Sequence, residues 1–224
     1  TVTNSVLNLR YHPSIAAYIS DPNPSDVVVT FDQGDVTANT SGLTGFEVQV
    51  EGVVRPITSI AKTSSTMTLT LNSPVLDGET VTVSYDNSGS SVTDEYHNVL
   101  TSFTNNPVNN NITAPIVSSA VVLDANSKQI VITFNETMTG ITDANDMTTT
   151  ISDLSVNIQG NTPVVVESIV LNNSSNELTL NIDKRIMDND TVSVTYTNNN
   201  NKIKDQYSNP AVTFTQNVNI SAIS

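Results

Sequence analysis

Apolar and polar residues alternate one by one along short blocks of this chain, and the blocks occur twice in the same order. Val28-Val29-Thr30-Phe31 is answered by Val131-Ile132-Thr133-Phe134, and Phe46 to Gly52 by Leu154 to Gly160. Leu69-Thr70-Leu71 returns as Leu178-Thr179-Leu180, and Thr80 to Tyr85 as Thr191 to Tyr196. Val92-Thr93-Asp94-Glu95-Tyr96-His97-Asn98 returns as Ile203-Lys204-Asp205-Gln206-Tyr207-Ser208-Asn209, and Ser102 to Asn105 as Thr213 to Gln216. The offset drifts from about 103 to about 111, so insertions fall between blocks, as for duplicated strands joined by variable loops. Alternation at period two places one face of each block in a core and the other in solvent.

The pattern predicts strand A at Ile15–Ile19 and Ile116–Leu123, and B ending at Phe31 and Phe134. C is expected at Phe46–Val50 and Leu154–Ile158, and D near Ile57–Ile60 and Val164–Ile169. E, F and G are the Leu-Thr-Leu, Val-x-Val-x-Tyr and Phe blocks. Seven short strands in about 105 residues, parted by Asn, Asp, Gly, Pro and Ser clusters, predict an all-β fold. The reading is two tandem immunoglobulin-like antiparallel β-sandwiches, with an eight-stranded barrel per half as the alternative.

The domains are expected at 1–113 and 114–224, with Thr113-Ala114-Pro115 as a short join. Pro115 restricts φ, so the two are expected nearly end to end. Thr1-Val2-Thr3-Asn4-Ser5-Val6 resembles Pro107-Val108-Asn109-Asn110-Asn111-Ile112 and Gln216-Asn217-Val218-Asn219-Ile220. Residues 1–12 are therefore either the end of a preceding repeat or an extra edge strand. Leu7–Pro13 has no partner in the second half.

Composition narrows the class. Hydrophobic content is 37%, concentrated in Val, Ile and Leu, which suits pleated strands. With 8 basic and 22 acidic residues the chain carries −14, and no Lys/Arg cluster interrupts that field, which excludes nucleic acid as a partner. Cysteine and tryptophan are both absent, so neither a disulfide framework nor the disulfide-on-Trp core of many extracellular Ig domains is available. This favours a bacterial exported protein held by its core alone. No apolar run reaches the roughly 20 residues that span a bilayer, and Thr1 opens no signal peptide, so a mature or excised piece is expected.

The run Phe46-x-Val48-x-Val50-x-Gly52, followed by Leu69-Thr70-Leu71, Gly78-Glu79-Thr80-Val81, Val83-Ser84-Tyr85, Asp94, Asn98 and Phe103-x-Asn105-x-x-Val108-x-Asn110, resembles the SwmB-type repeat. That bacterial Ig-like module occurs in many copies in cell-surface and adhesin-like proteins and beside secreted enzymes. The resemblance covers nearly all of the first half and most of the second, where Asn189 replaces Gly78 and Gly89 has no equivalent. It implies a scaffold without catalytic residues, at the cell surface or secreted, with neighbouring repeats of the same polypeptide as partners.

Candidate chemistry is sparse. His12 and His97 stand in separate loops outside any metal or triad frame. Most aromatics repeat in both halves and read as core or tyrosine-corner positions, leaving Tyr11 and Tyr18 as a poor sugar platform. Calcium is the chemistry the acidic loops would suit, drawing oxygens from Asp77, Glu79, Asp143, Asp146 and Asp205. Strand parity would bring Asp21, Asp26, Asp77 and Glu79 of the first domain towards the last three, where a cation would turn repulsion into rigidity. The alternative is that these are solvated loops. The functional expectation is a non-catalytic structural or adhesive spacer, monomeric, meeting a surface glycan or protein ligand, with calcium at loops or the junction. The alternative is a carbohydrate-binding accessory module of a secreted polysaccharide-degrading enzyme.

Overall fold

Period-two blocks bury alternate residues only if two sheets share one core, and the computed structural model has this arrangement in each half of the chain. It describes residues 14–32, 45–88, 92–94, 97–123, 127–141, 144–159, 164–172 and 176–221. Val2–Val6, Leu7–Pro13, Tyr11, His12, Tyr96 and Asp143 lie outside the described residues. The chain divides into two units, Thr1–Ile112 and Thr113–Ser224.

In unit 1 the strands are β1 (Ile15–Ser20), β2 (Asn23–Phe31), β3 (Phe46–Val50), β4 (Val53–Arg55), β5 (Ile57–Lys62), β6 (Thr66–Leu71), β7 (Val81–Tyr85) and β8 (Phe103–Asn111). Their spatial order is β4-β3-β7-β8-β1-β2-β6-β5. That order is the C′-C-F-G sheet followed by the A-B-E-D sheet of Ig-like sandwiches, with one departure: the last strand belongs to both. Phe103 to Val108 pairs antiparallel with β7, and Asn109–Asn111 then pairs parallel with Tyr18–Ser20 of β1. Strands β4 and β5 end the order unpaired to each other, so hydrogen bonding does not close a barrel. Ile19, Val27, Val29, Val48, Met67, Leu69 and Val83 are fully buried in one cluster drawn from both sheets.

Unit 2 repeats the plan with β9 (Val117–Val122), β10 (Gln129–Phe134), β11 (Met138–Thr139), β12 (Leu154–Ile158), β13 (Val166–Asn172), β14 (Glu177–Ile182), β15 (Val192–Tyr196), β16 (Lys204–Asp205), β17 (Phe214–Asn217) and β18 (Asn219–Ile220). Its sheets run β12-β15-β17 and β13-β14-β10-β9-β18, with β11 paired to β16. The last strand is again shared, here broken at Val218, whose N–H bonds Val192 O at 2.9 Å. β17 serves one sheet, and β18 lies parallel to β9 in the other. One element falls outside the pattern. Helix α1 (Ala144–Ser152) occupies the B–C connection and presents Met147 and Ile151 to the core.

Aromatic triads close the C-F-G side in each unit. Tyr85 lies 4.6 Å from Phe46 and 6.0 Å from Phe103, ring centre to ring centre. In unit 2 Phe214 plays the bridging part, 5.6 Å from Tyr196 and 6.2 Å from Phe134. Gly45 is required at the foot of β3. Its φ is +99°, and a Cβ there would fall 2.2 Å from Asp86 O.

Candidate functional site

The acidic residues that could hold a cation sit in three kinds of local structure. Asp77 and Glu79 share the β6–β7 turn, shaped by Gly78 at φ +76°. Asp77 is exposed, whereas Glu79 folds back: its Oε2 accepts the Leu76 N–H at 2.8 Å and lies 3.9 Å from Arg55 Nη1. Arg55 itself donates to Pro74 O at 2.6 Å. Unit 2 builds the same cap one carbon shorter, with Asp190 Oδ2 accepting the Met187 N–H at 2.7 Å. A carboxylate that satisfies a turn N–H in both copies is part of the turn's own hydrogen bonding.

Asp205 begins a four-residue hairpin and is 0% exposed. Its Oδ1 accepts the Tyr207 and Asn209 N–H groups, both at 2.8 Å, and its Oδ2 accepts Asn209 Nδ2 at 2.7 Å. Asp94 repeats this in unit 1, accepting Asn98 N and Asn98 Nδ2 at 2.8 Å each. Backbone bonds close both hairpins, Asp94 N to Asn98 O and Asp205 N to Asn209 O at 3.0 Å. Each needs one left-handed residue, His97 at φ 65° and Ser208 at φ 74°. His97 therefore holds a turn position. The tyrosine of the preceding strand reaches the same hairpins. The Tyr85 hydroxyl accepts the Val92 N–H at 2.9 Å, and burial raises its pKa. Tyr196 donates to Asn198 Oδ1 at 3.1 Å. Burial, against a backbone bond from Ile203 and with the Asp153 charge adding to it, pushes Tyr196 up to about 12.

Asp146 lies in the first turn of α1, where a carboxylate suits the helix N-terminus. Its Oδ1 pairs with Lys202 Nζ at 2.5 Å. The Asp143-Ala144-Asn145-Asp146 stretch, read from sequence as a loop, is from Ala144 onward helical. A carboxylate that the sequence did not single out lies at the far end of the same helix. Asp153, 5% exposed, accepts Asn199 Nδ2 at 3.2 Å and Asn200 Nδ2 at 3.0 Å. A run of four asparagines after a core tyrosine was the available signal for such a polar cluster. Thus Asp77 and Glu79 share a turn, while Asp146 and Asp205 sit on separate elements with separate partners. Among the described residues, no group of three or more His, Asp or Glu side chains is placed to hold a metal ion.

Unit 1 also carries a groove of about 570 Å³ where β3 and β4 part from β5, lined by Phe46, Glu47, Val54, Arg55, Ile57 and Ile60 among others. In unit 2, α1 packs against β12 and β13, the strands corresponding to β3 and β5. Tyr18, the unrepeated tyrosine that falls within the described residues, is 38% exposed on β1. No described helix is long and apolar enough to cross a membrane.

No curated protein matches the chain. Among solved structures, it is similar to the N-terminal part of the bacterial S-layer protein SbsC at 16% identity and TM-score 0.39, covering 94% of this chain and 44% of that one. It is similar to domains 1–6 of the same surface layer protein at 15% identity and TM-score 0.37, over 95% and 26%. Pullulanase type I from Bacillus subtilis str. 168, complexed with maltose, matches at 9% identity and TM-score 0.25, over 92% and 24%. The chain spans less than half the length of each of these solved chains. A model of the SWM repeat, described as "Putative flagellar system-associated repeat", matches residues 3–90 and again residues 110–201. Matched twice over most of its length, the chain belongs to the SWM-repeat family.

Proposed function

We propose that this chain is a structural spacer module of a repeat-built bacterial protein, at the cell surface or secreted, with neighbouring repeats as its partners. The observation that supports this reading is the repeated use of reactive side chains for the fold itself. Both units use an acidic cap on the E–F turn, an Asp-x-x-x-Asn hairpin and a tyrosine fastened to that hairpin. Carboxylates engaged by N–H donors within one turn act in that turn, and rings packed in threes against the core are not offered as a sugar-stacking platform.

The test is a sedimentation panel in which the 224-residue protein is mixed with insoluble cellulose, chitin, starch and alginate. The expected result is that it stays in the supernatant with each. Retention above a mock-bead control on any of them overturns the spacer reading in favour of a carbohydrate-binding module. The same preparation tests calcium. A site filled on the native state at about 100 times its Kd would add roughly 2.7 kcal/mol. With Glu79, Asp146 and Asp205 already engaged by protein donors, the expected melting midpoints in EDTA and in millimolar Ca²⁺ agree within about 1 °C. A rise of several degrees with calcium would place a structural cation among these loops.

A further inference from the structure

The closing strand of unit 1 reveals how repeats join, and this inference rests on the spacer reading. Val108, Asn110 and Ile112 alternate onto one face of β8 and the residue after it, with Val108 and Ile112 buried in the core. Between them, Asn110 Nδ2 donates to Leu76 O at 2.8 Å and Glu79 O at 2.9 Å, and its Oδ1 accepts the Ile112 N–H at 3.1 Å. An amide flanked by two core-facing aliphatics is costly unless such partners await it. The spacing Val-x-Asn-x-Ile/Val therefore matches one kind of location, the edge beside strand A with the E–F turn carbonyls turned towards it. In unit 2 the residue in register with Asn110, opposite Val122 of β9, is Ile220, and this clamp is not repeated.

Val2, Asn4 and Val6 carry the same spacing. The position they fit in unit 1 is already held by Val108, Asn110 and Ile112. The two family matches locate their proper place. The second match begins at Asn110, a residue that structurally closes unit 1 and not unit 2. The sequence repeat thus runs ahead of the structural unit by half a strand. The first match begins at Thr3, inside Val2–Val6. We infer that Thr1–Val6 is the closing strand of another SWM-repeat domain placed ahead of unit 1. Val2 and Val6 enter that domain's core, and Asn4 binds the two carbonyls of its E–F turn. Repeats so arranged are linked by a shared strand and not by a free tether.

The test places residues 1–106 directly ahead of the full chain, so that Thr1–Val6 follows Asn106 where Pro107–Ile112 stood. Limited proteolysis reports the opening of each domain. The leading domain is expected to be cleaved less than about tenfold faster than unit 1 of the 224-residue chain. Asn4→Ala and Val6→Asp, made only at the new junction, are each expected to raise that rate by about tenfold or more. The same substitutions in the 224-residue chain should leave unit 1 within about twofold of the parent. A leading domain cleaved more than about tenfold faster than unit 1, or one insensitive to Val6→Asp, overturns the inference. The spacer reading is judged separately, by retention on polysaccharide, so the two can fail independently.

Discussion

Replacing Asp205 with Ala is expected to destabilise unit 2 by about 3–5 kcal/mol, because three buried donors would lose one acceptor together. The Asp205 carboxylate receives the Tyr207 N–H, the Asn209 N–H and Asn209 Nδ2. A single unsatisfied buried donor costs about 1–3 kcal/mol, and three in one hairpin will not add fully. The hairpin also carries Ile203 and Ala211, both fully buried in the unit 2 core, so its loosening would reach the packing around Tyr196. At roughly 4–8 °C per kcal/mol for a domain of this size, the unit 2 transition should fall by 15 °C or more in a calorimetric scan. Unit 1, with its own Asp94 hairpin, should melt where the parent does. Asp205→Asn is a graded control. It keeps one oxygen for the backbone donors but sets an amide against Asn209 Nδ2, and should cost about half as much. A full loss in Asp205→Ala without any in Asp205→Asn would make charge irrelevant, and an unmoved midpoint in both would remove the hairpin as a structural element.

Strand positions and pairing were legible because alternation is a strong signal when it is repeated: every block matched between the halves is a strand or hairpin here. What escaped the sequence was short or weakly patterned. β4 is three residues long and follows directly on a turn at Glu51-Gly52, with φ values of 53° and 76°, so no alternation could establish itself. α1 contains three threonines in nine residues, poor helix formers whose γ-oxygens bond back to Asn145 O and Asp146 O. Only Met147 and Ile151, one turn apart, mark its buried face, and two residues do not make a period. The carboxylates posed a different difficulty. Asp205 and Asp146 look alike in sequence, yet one is fully buried under N–H donors and the other pairs with Lys202, 56 residues on. Which acid faces water and which completes a turn depends on tertiary partners, and composition does not specify them.

Tyr196 gives the second large effect, read through pH. Its folded-state pKa stands at about 12 against an ordinary value of 10.0, chiefly because burial disfavours the phenolate. The folded state therefore holds its proton where the unfolded chain has released it. A raised pKa of this kind contributes stability that is whole below pH 10 and is lost as pH climbs towards 12. Two units correspond to about 2.7 kcal/mol, and solvent screening near the hydroxyl brings the expected loss to about 2 kcal/mol. Urea midpoints for unit 2 should thus be level from pH 7 to 9 and fall steeply beyond 10. Tyr85 shifts in the same direction, so unit 1 should decline as well. Tyr196→Phe separates this cause from general alkaline repulsion in a chain of net charge −14. At pH 7 the variant should lose about 1 kcal/mol, since Asn198 Oδ1 and the Ile203 N–H lose their partner. Between pH 10 and 12 its stability should run nearly flat and cross above the parent. A parallel decline in both proteins would assign the alkaline loss to charge repulsion and not to the buried phenol that fastens strand F to its hairpin.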